Sequence, residues 1–244
     1  MTRRIESYGL SDIGLVRPNN EDAFLALKNY RFFALADGMG GHKAGEVAAK
    51  LTILAITEEV QKISPARRRA LSSKECIAFI QGAIDNANEK VYQLSTENQN
   101  LEGMGTTVCC LYFYQESVIL AHVGDSRIYR FRDQELKLLT EDHSLVNGAL
   151  RQGMKELLPL KNVITRAVGT SVKVQPEIGS ATAKPLDIFL MCTDGLSDFV
   201  REEEMEAILM QKSTIKKKAE ALIEKAKEKG SHDNITLLMI KIKQ

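Results

Sequence analysis

Residues 106–139 read TTVCCLYFYQESVILAHVGDSRIYRFRDQELKLL, four runs of β-branched, aromatic and apolar residues cut by the short polar breaks QE, GDS and RDQ. Runs of this composition between turn formers spell strands, and breaks this short leave room only for tight turns between antiparallel neighbours. The stretch is therefore expected to form an antiparallel meander. Toward the N-terminus the pattern is again strand-like, in IESYGLSDI, AFLAL and FFALAD, separated by the polar RPNNED and by KNYR. Between these strands and the meander lie two amphipathic helices. The first runs from about Gly45 with Val47, Leu51 and Leu54 on one face. The second opens at Ser72, with Glu75 three residues later as a capping box, and has Ile77, Ile80, Ile84, Ala87, Val91 and Leu94 as its buried stripe.

Beyond the meander, residues 143–161 hold a short helix and a turn at Pro159. Strands resume in VQPEIGSATA and DIFLMC. Two more helices follow, EEEMEAILMQ and one from Thr214 with Ile215, Ala219, Leu222 and Ala226 at helical spacing and Gly230 as its stop, and NITLLMIKI closes the pattern. Strands, a helix pair, strands, a helix pair and a last strand predict an α+β fold: an antiparallel β-sandwich with helix pairs on both outer faces. No proline-, glycine- or serine-rich stretch divides the chain, so residues 1–244 are expected to form one domain.

The 244 residues are 44% hydrophobic and 27% charged, the composition of an ordinary globular protein. With 33 lysines and arginines against 32 aspartates and glutamates, the formal charge of +1 offers no global field for nucleic acid or anionic lipid. SPARRRAL at 64–71 reads as a solvated loop rather than a nucleic-acid patch. No apolar run approaches the roughly 20 residues of a membrane span, and MTRRIESYG is not followed by the apolar segment of a signal peptide, so a cytoplasmic location is expected. Cys76, Cys109, Cys110 and Cys192 form no CxxC pair and read as buried small hydrophobes, with the neighbours Cys109 and Cys110 on opposite faces of a strand. His42, His122, His143 and His232 are scattered, which disfavours zinc.

The chemistry sits at strand ends. Asp37 closes FFALAD, Asp194 closes IFLMCTD, and Asp233 stands just before ITLLMI, so all three carboxylates have a route to one edge. Converging carboxylates repel unless a cation lies among them, and hard oxygen ligands suit magnesium or manganese. Each aspartate alone also fits an ordinary turn, especially in Asp37-Gly38 and Asp194-Gly195; a further one, Asp125 in GDSR, strengthens the cluster. Arg17 offers a planar fork for a phosphate or is a surface arginine. The glycines at 38, 40, 41 and 45 match no nucleotide-binding loop.

SDIGLVRPNNEDAF, ALADGMGGHKAGEVAA, GMGTT, HVGDSRIYRF, NVITRAVGT, MCTDGLSDFV and SHDNITLLMI resemble, in that order, the blocks of metal-dependent protein phosphatases of type 2C, most of all the bacterial serine/threonine members. The resemblance spans nearly the whole chain. It implies a two-sheet sandwich flanked by helix pairs and hydrolysis of phosphoserine and phosphothreonine in proteins by metal-activated water. It makes Asp37 the bridging ligand of two manganese or magnesium ions, with Asp194 and Asp233 completing one and Glu21 and the Gly38 carbonyl serving the other. Asp125, Asp198 and Asp194 would hold a third, looser ion, Asp22 and Asn234 would support the site, and Arg17 would bind phosphate. His42 matches a histidine proposed as general acid in eukaryotic members, and reads equally as a solvated loop residue. The implied partners are phosphoproteins made by a serine/threonine kinase, met by a monomer. Residues 143–162 correspond to a flap beside the active site, where LLPLK replaces the His-Pro pair of many relatives. The same residues leave open a catalytically silent, or partner-dedicated, regulatory relative.

Overall fold

The computed structural model describes residues 4–40, 44–64, 67, 70–151 and 163–243. Its strands are β1 (Ile5–Asp12), β2 (Asp22–Leu27), β3 (Phe32–Met39), β4 (Gly105–Thr106), β5 (Val108–Tyr114), β6 (Ser117–Val123), β7 (Arg127–Arg132), β8 (Glu135–Leu138), β9 (Glu177–Thr182), β10 (Ile188–Cys192) and β11 (Ile235–Ile242). Its helices are α1 (Ala44–Lys62), α2 (Ser73–Glu97), α3 (Leu145–Arg151), α4 (Asp194–Ser197), α5 (Glu202–Met210) and α6 (Ile215–Glu228). One sheet has the order β1-β11-β10-β7-β8; the other runs β2-β3-β5-β6-β9, with β4 pairing β3 at its end. Every pairing is antiparallel.

Alternation along the central strands explains the layering. Phe33 and Leu35 face the other sheet with Cys109, Leu111, Phe113, Phe189, Leu238 and Ile240, while Phe32 and Ala34 face α1 and α2 with Cys110 and Tyr112. Leu237 and Met239 face α5 and α6. Because both faces of each central strand are covered, both are apolar, which is why these strands read as continuous hydrophobic runs. Phe113 meets Phe33 and Phe189 edge-on at 5.8 and 5.3 Å, linking the two sheets; such pairs add about 0.5–1.5 kcal/mol each beyond their buried area.

The meander is broken at GDS. β5 pairs β6 and β7 pairs β8, but β6 and β7 lie in different sheets, so residues 124–126 carry the chain across the sandwich. The first two helices also differ from their simple apolar stripes. Leu54 and Ile77 are 53% and 37% exposed, and α1 buries Ala48, Ala49, Thr52, Ala55 and Ile56 instead. Small residues let the helix lie close to β3. The capping box at Ser72 and Glu75 is formed, and Thr214 caps α6 through the Lys217 N–H at 3.3 Å. Of the segment at 143–162, residues 152–162 lie outside the described residues, as do 65, 66, 68 and 69 of SPARRRAL.

Candidate metal and phosphate site

The site lies where the ends of both sheets meet. Asp37 ends the apolar part of β3 in register with Asp22 of β2. Its peptide is fixed on both sides: the Asp37 N–H donates to Thr107 Oγ1 at 3.0 Å, and its carbonyl accepts from Thr107 N–H and Thr106 Oγ1, both at 2.8 Å. The GMGTT block carries this clamp, a role its composition alone does not reveal. Asp194 opens α4 directly after β10, and its carbonyl accepts the Asp198 N–H at 2.9 Å, so these two carboxylates stand one helical turn apart. Asp233 precedes β11. It accepts the Asn234 N–H at 2.8 Å and the Arg17 Nη2–H at 2.7 Å.

Asn234 organises the loop that carries Arg17 and Glu21. Its amide donates to the carbonyls of Ile13 and Asn19, both at 2.9 Å, and its side-chain oxygen accepts the Glu21 N–H at 2.9 Å. The start of α1 then closes on the end of β3. A Cβ on Gly38 would stand 2.1 Å from the Gly45 carbonyl oxygen, and one on Gly45 would stand 2.0 Å from Glu21 Oε2, so only glycine permits the approach. Arg17, Glu21, Asp37, Gly38, Asp125, Asp194 and Asp233 line one cleft of about 500 Å³. Asp198 lines an adjoining cleft that shares Asp125 and Asp194 with the first. His42 lies outside the described residues.

Burial and crowding set the charge state. Burial pushes the Asp37 carboxyl well above its usual range, and the charges of Asp22, Asp194, Asp125 and Asp233 push it further. Asp194 is likewise raised by burial, then by Asp125, Asp233 and Asp198. Asp125 is pushed up to about 6 by burial and by Asp142. Burial takes Asp22 to about 7, against the hydrogen bonds of Thr236 and Thr193 that favour its charged form. A carboxylate cluster this strained calls for positive charge at its centre. Asp194 Oδ1 is buried with no hydrogen-bond partner, an oxygen available to a cation. The donors are oxygens throughout, so the residues fit a hard divalent ion such as manganese or magnesium. Cys192, inside β10, has its thiol raised to about 12 by burial and is no nucleophile.

Two histidines read as scattered in the sequence come together. The rings of His122 and His143 stack at 4.6 Å beside Glu177. The pairing of β6 with β9 and the return of the chain after β8 bring them there, and neither is visible as local spacing.

An α+β double sheet with a buried carboxylate cluster and an arginine at one end offers oxygen ligands for a divalent ion beside a donor for an anion. Residues 17–228 match the model of the family described as Protein phosphatase 2C. The chain is 37% identical over 238 residues to the serine/threonine phosphatase stp of Listeria monocytogenes serotype 4b, covering 94% of this chain and 93% of that one. The structure of the S. agalactiae serine/threonine phosphatase superposes with a TM-score of 0.91 at 32% identity, over 98% of this chain and all of that one. The catalytic domain of the serine/threonine protein phosphatase PstP, solved with two manganese ions, gives a TM-score of 0.87 at 34% identity over the full length of both. The chain belongs to the protein phosphatase 2C family, and it is a metal-dependent serine/threonine protein phosphatase.

Proposed function

We propose that the cleft hydrolyses phosphoserine and phosphothreonine in proteins, with Asp37, Asp194, Asp233, Glu21 and the Gly38 carbonyl holding two divalent ions and Asp125 and Asp198 holding a third with Asp194. The observation that carries this reading is the convergence of strand-end carboxylates from both sheets on one cleft that also contains Arg17, where burial and neighbouring charge raise Asp37 and Asp194. Bound divalent ions supply an acidified water and neutralise charge on the phosphoryl group.

The chain's own residues do the rest. Asp22 and Asn234 position the site from behind: Asp22 accepts the Thr193 hydroxyl at 3.1 Å, and Asn234 fixes the loop ahead of β2. Arg17, half exposed at the mouth of the cleft, presents its guanidinium to the equatorial oxygens of the phosphate while sharing Asp233. Phosphoproteins of serine/threonine kinase pathways are the substrates this family relationship supports. Among the described residues no helix is long and apolar enough to cross a membrane. Manganese-dependent release of phosphate from a phosphothreonine peptide tests the reading, since a silent relative would bind the peptide without turnover.

A further inference from the structure

His122 and His143 are 1% and 7% exposed, and with Glu177 they form the one cluster outside the cleft whose side chains suggest an ion site among the described residues. The geometry opposes an ion there. An ion must lie in the plane of each imidazole, off a nitrogen lone pair, whereas these rings face one another with planes 22° apart. Arg166 Nη1 also lies 3.4 Å from His143 Nε2 and brings positive charge to the same spot.

The partners of His143 point elsewhere. Its Nδ1 accepts the Gly124 N–H at 3.2 Å, and its own backbone N–H returns a bond to the Gly124 carbonyl at 3.0 Å. Gly124 has φ +100°, and a Cβ there would stand 2.6 Å from Thr107 Cγ2, so the turn is both left-handed and walled in. The next residue is Asp125. On its other side, the His143 carbonyl accepts the Thr165 N–H at 2.7 Å, and Ser144 bridges to Ile164, which lines the cleft.

A backbone N–H only donates, so Nδ1 is the unprotonated nitrogen; Nε2 then carries the proton, with Glu177 Oε2 at 3.7 Å, and its 3.4 Å approach to Arg166 is a contact of charge and not a hydrogen bond. Burial, His122 and Arg166 push the ring's pKa down to about 4, against the opposing pull of Glu177, so the neutral form holds near neutral pH.

We propose that His143 is a positioning residue for Asp125: through its Nδ1 acceptor it fixes the Gly124–Asp125 turn and ties it to the bridged segment that places Ile164 in the cleft. The inference rests on the reading of Asp125 as a carboxylate of the looser ion. Three variants separate the role of Nδ1 from mere filling of space. The amide oxygen of His143→Asn sits where Nδ1 does and can accept from Gly124, the amide of His143→Gln reaches the Nε2 position instead, and His143→Ala reaches neither.

Steady-state turnover of a phosphothreonine peptide is measured against manganese concentration for each variant, alone and combined with Asp125→Asn. We expect Ala and Gln to lower kcat about tenfold, the scale of one buried hydrogen bond, and to raise the half-activating manganese concentration, with Asn within about threefold of wild type. In the Asp125→Asn background, His143→Ala should change kcat less than about twofold, because the two act as one unit. Equal losses for Asn and Ala, or full additivity with Asp125→Asn, would overturn the positioning role. An Asp125→Asn variant with wild-type manganese dependence would overturn the reading of Asp125 itself, and the proposal with it.

Discussion

The guanidinium of Arg17 donates to the carboxylate of Asp233 at 2.7 Å, joining the loop ahead of β2 to the residue that precedes β11. The sequence suggests a division of labour in which Arg17 meets substrate and the aspartates meet metal. The ion pair connects them: the arginine's positive charge already serves the carboxylate cluster, and the charges of Asp233, Glu21 and Asp194 hold Arg17 above its usual range.

Arg17→Ala removes charge-assisted hydrogen bonds worth about 1.5–3 kcal/mol, so kcat/KM should fall about 10- to 100-fold. The variant also frees Asp233, so manganese should bind at least as tightly as in wild type. Steady-state kinetics beside calorimetric metal titration checks both halves, and weakened metal binding would contradict the assignment.

Asp194→Asn should reduce turnover to background while raising the melting temperature of the chelated protein. The substitution takes one charge out of a cluster in which burial and Asp125, Asp233 and Asp198 all oppose ionisation. Circular dichroism melts in chelator and phosphate release in manganese measure the two effects; a less stable variant with normal turnover would contradict both.

Asn234→Ala deletes three hydrogen bonds at a position 5% exposed, to Ile13, Asn19 and Glu21. At about 1 kcal/mol each, urea unfolding should show a loss of about 2–3 kcal/mol. Activity should fall as well, since the loop carries both Arg17 and Glu21. Asn234→Asp should not rescue, because a carboxylate cannot donate to the two carbonyls.

In chelator, stability should fall as pH rises from about 4 toward 7. Asp125 at about 6 and Asp22 at about 7 bind their protons more tightly folded than unfolded, where the value is 3.8. Each therefore favours the folded state below pH 3.8 and progressively loses that advantage up to its folded value. Manganese should flatten or reverse the slope. Thermal melts across this range, with and without the ion, check the sign.

Much of this was legible before the fold. The apolar runs predict every long strand, Ser72 with Glu75 predicts a capping box, and strand-end Asp37, Asp194 and Asp233 predict a shared cleft. What local pattern misses is how the layers are assembled. GDS has the length of a hairpin turn, yet it crosses between sheets because β6 and β7 each find partners elsewhere. Asp37 thus reaches Asp194 and Asp233 across the sandwich rather than along one edge. Leu54 and Ile77 fit helical stripes but are exposed; in α1 the buried face is built mainly of small residues where the helix meets β3. Thr107 and His143 act through backbone partners far away in the chain, and no spacing rule reveals them.

On the proposed function, the carboxylate cluster loaded with divalent ions is the catalyst. The most direct test is phosphate release from a phosphothreonine peptide by exhaustively chelated protein, titrated back with manganese, with bound manganese counted in parallel for wild type and Asp37→Asn. Turnover should cease after chelation and recover in step with ion binding, and the variant should lose both. Turnover that survives chelation, or a fully active Asp37→Asn protein, would contradict the proposed function.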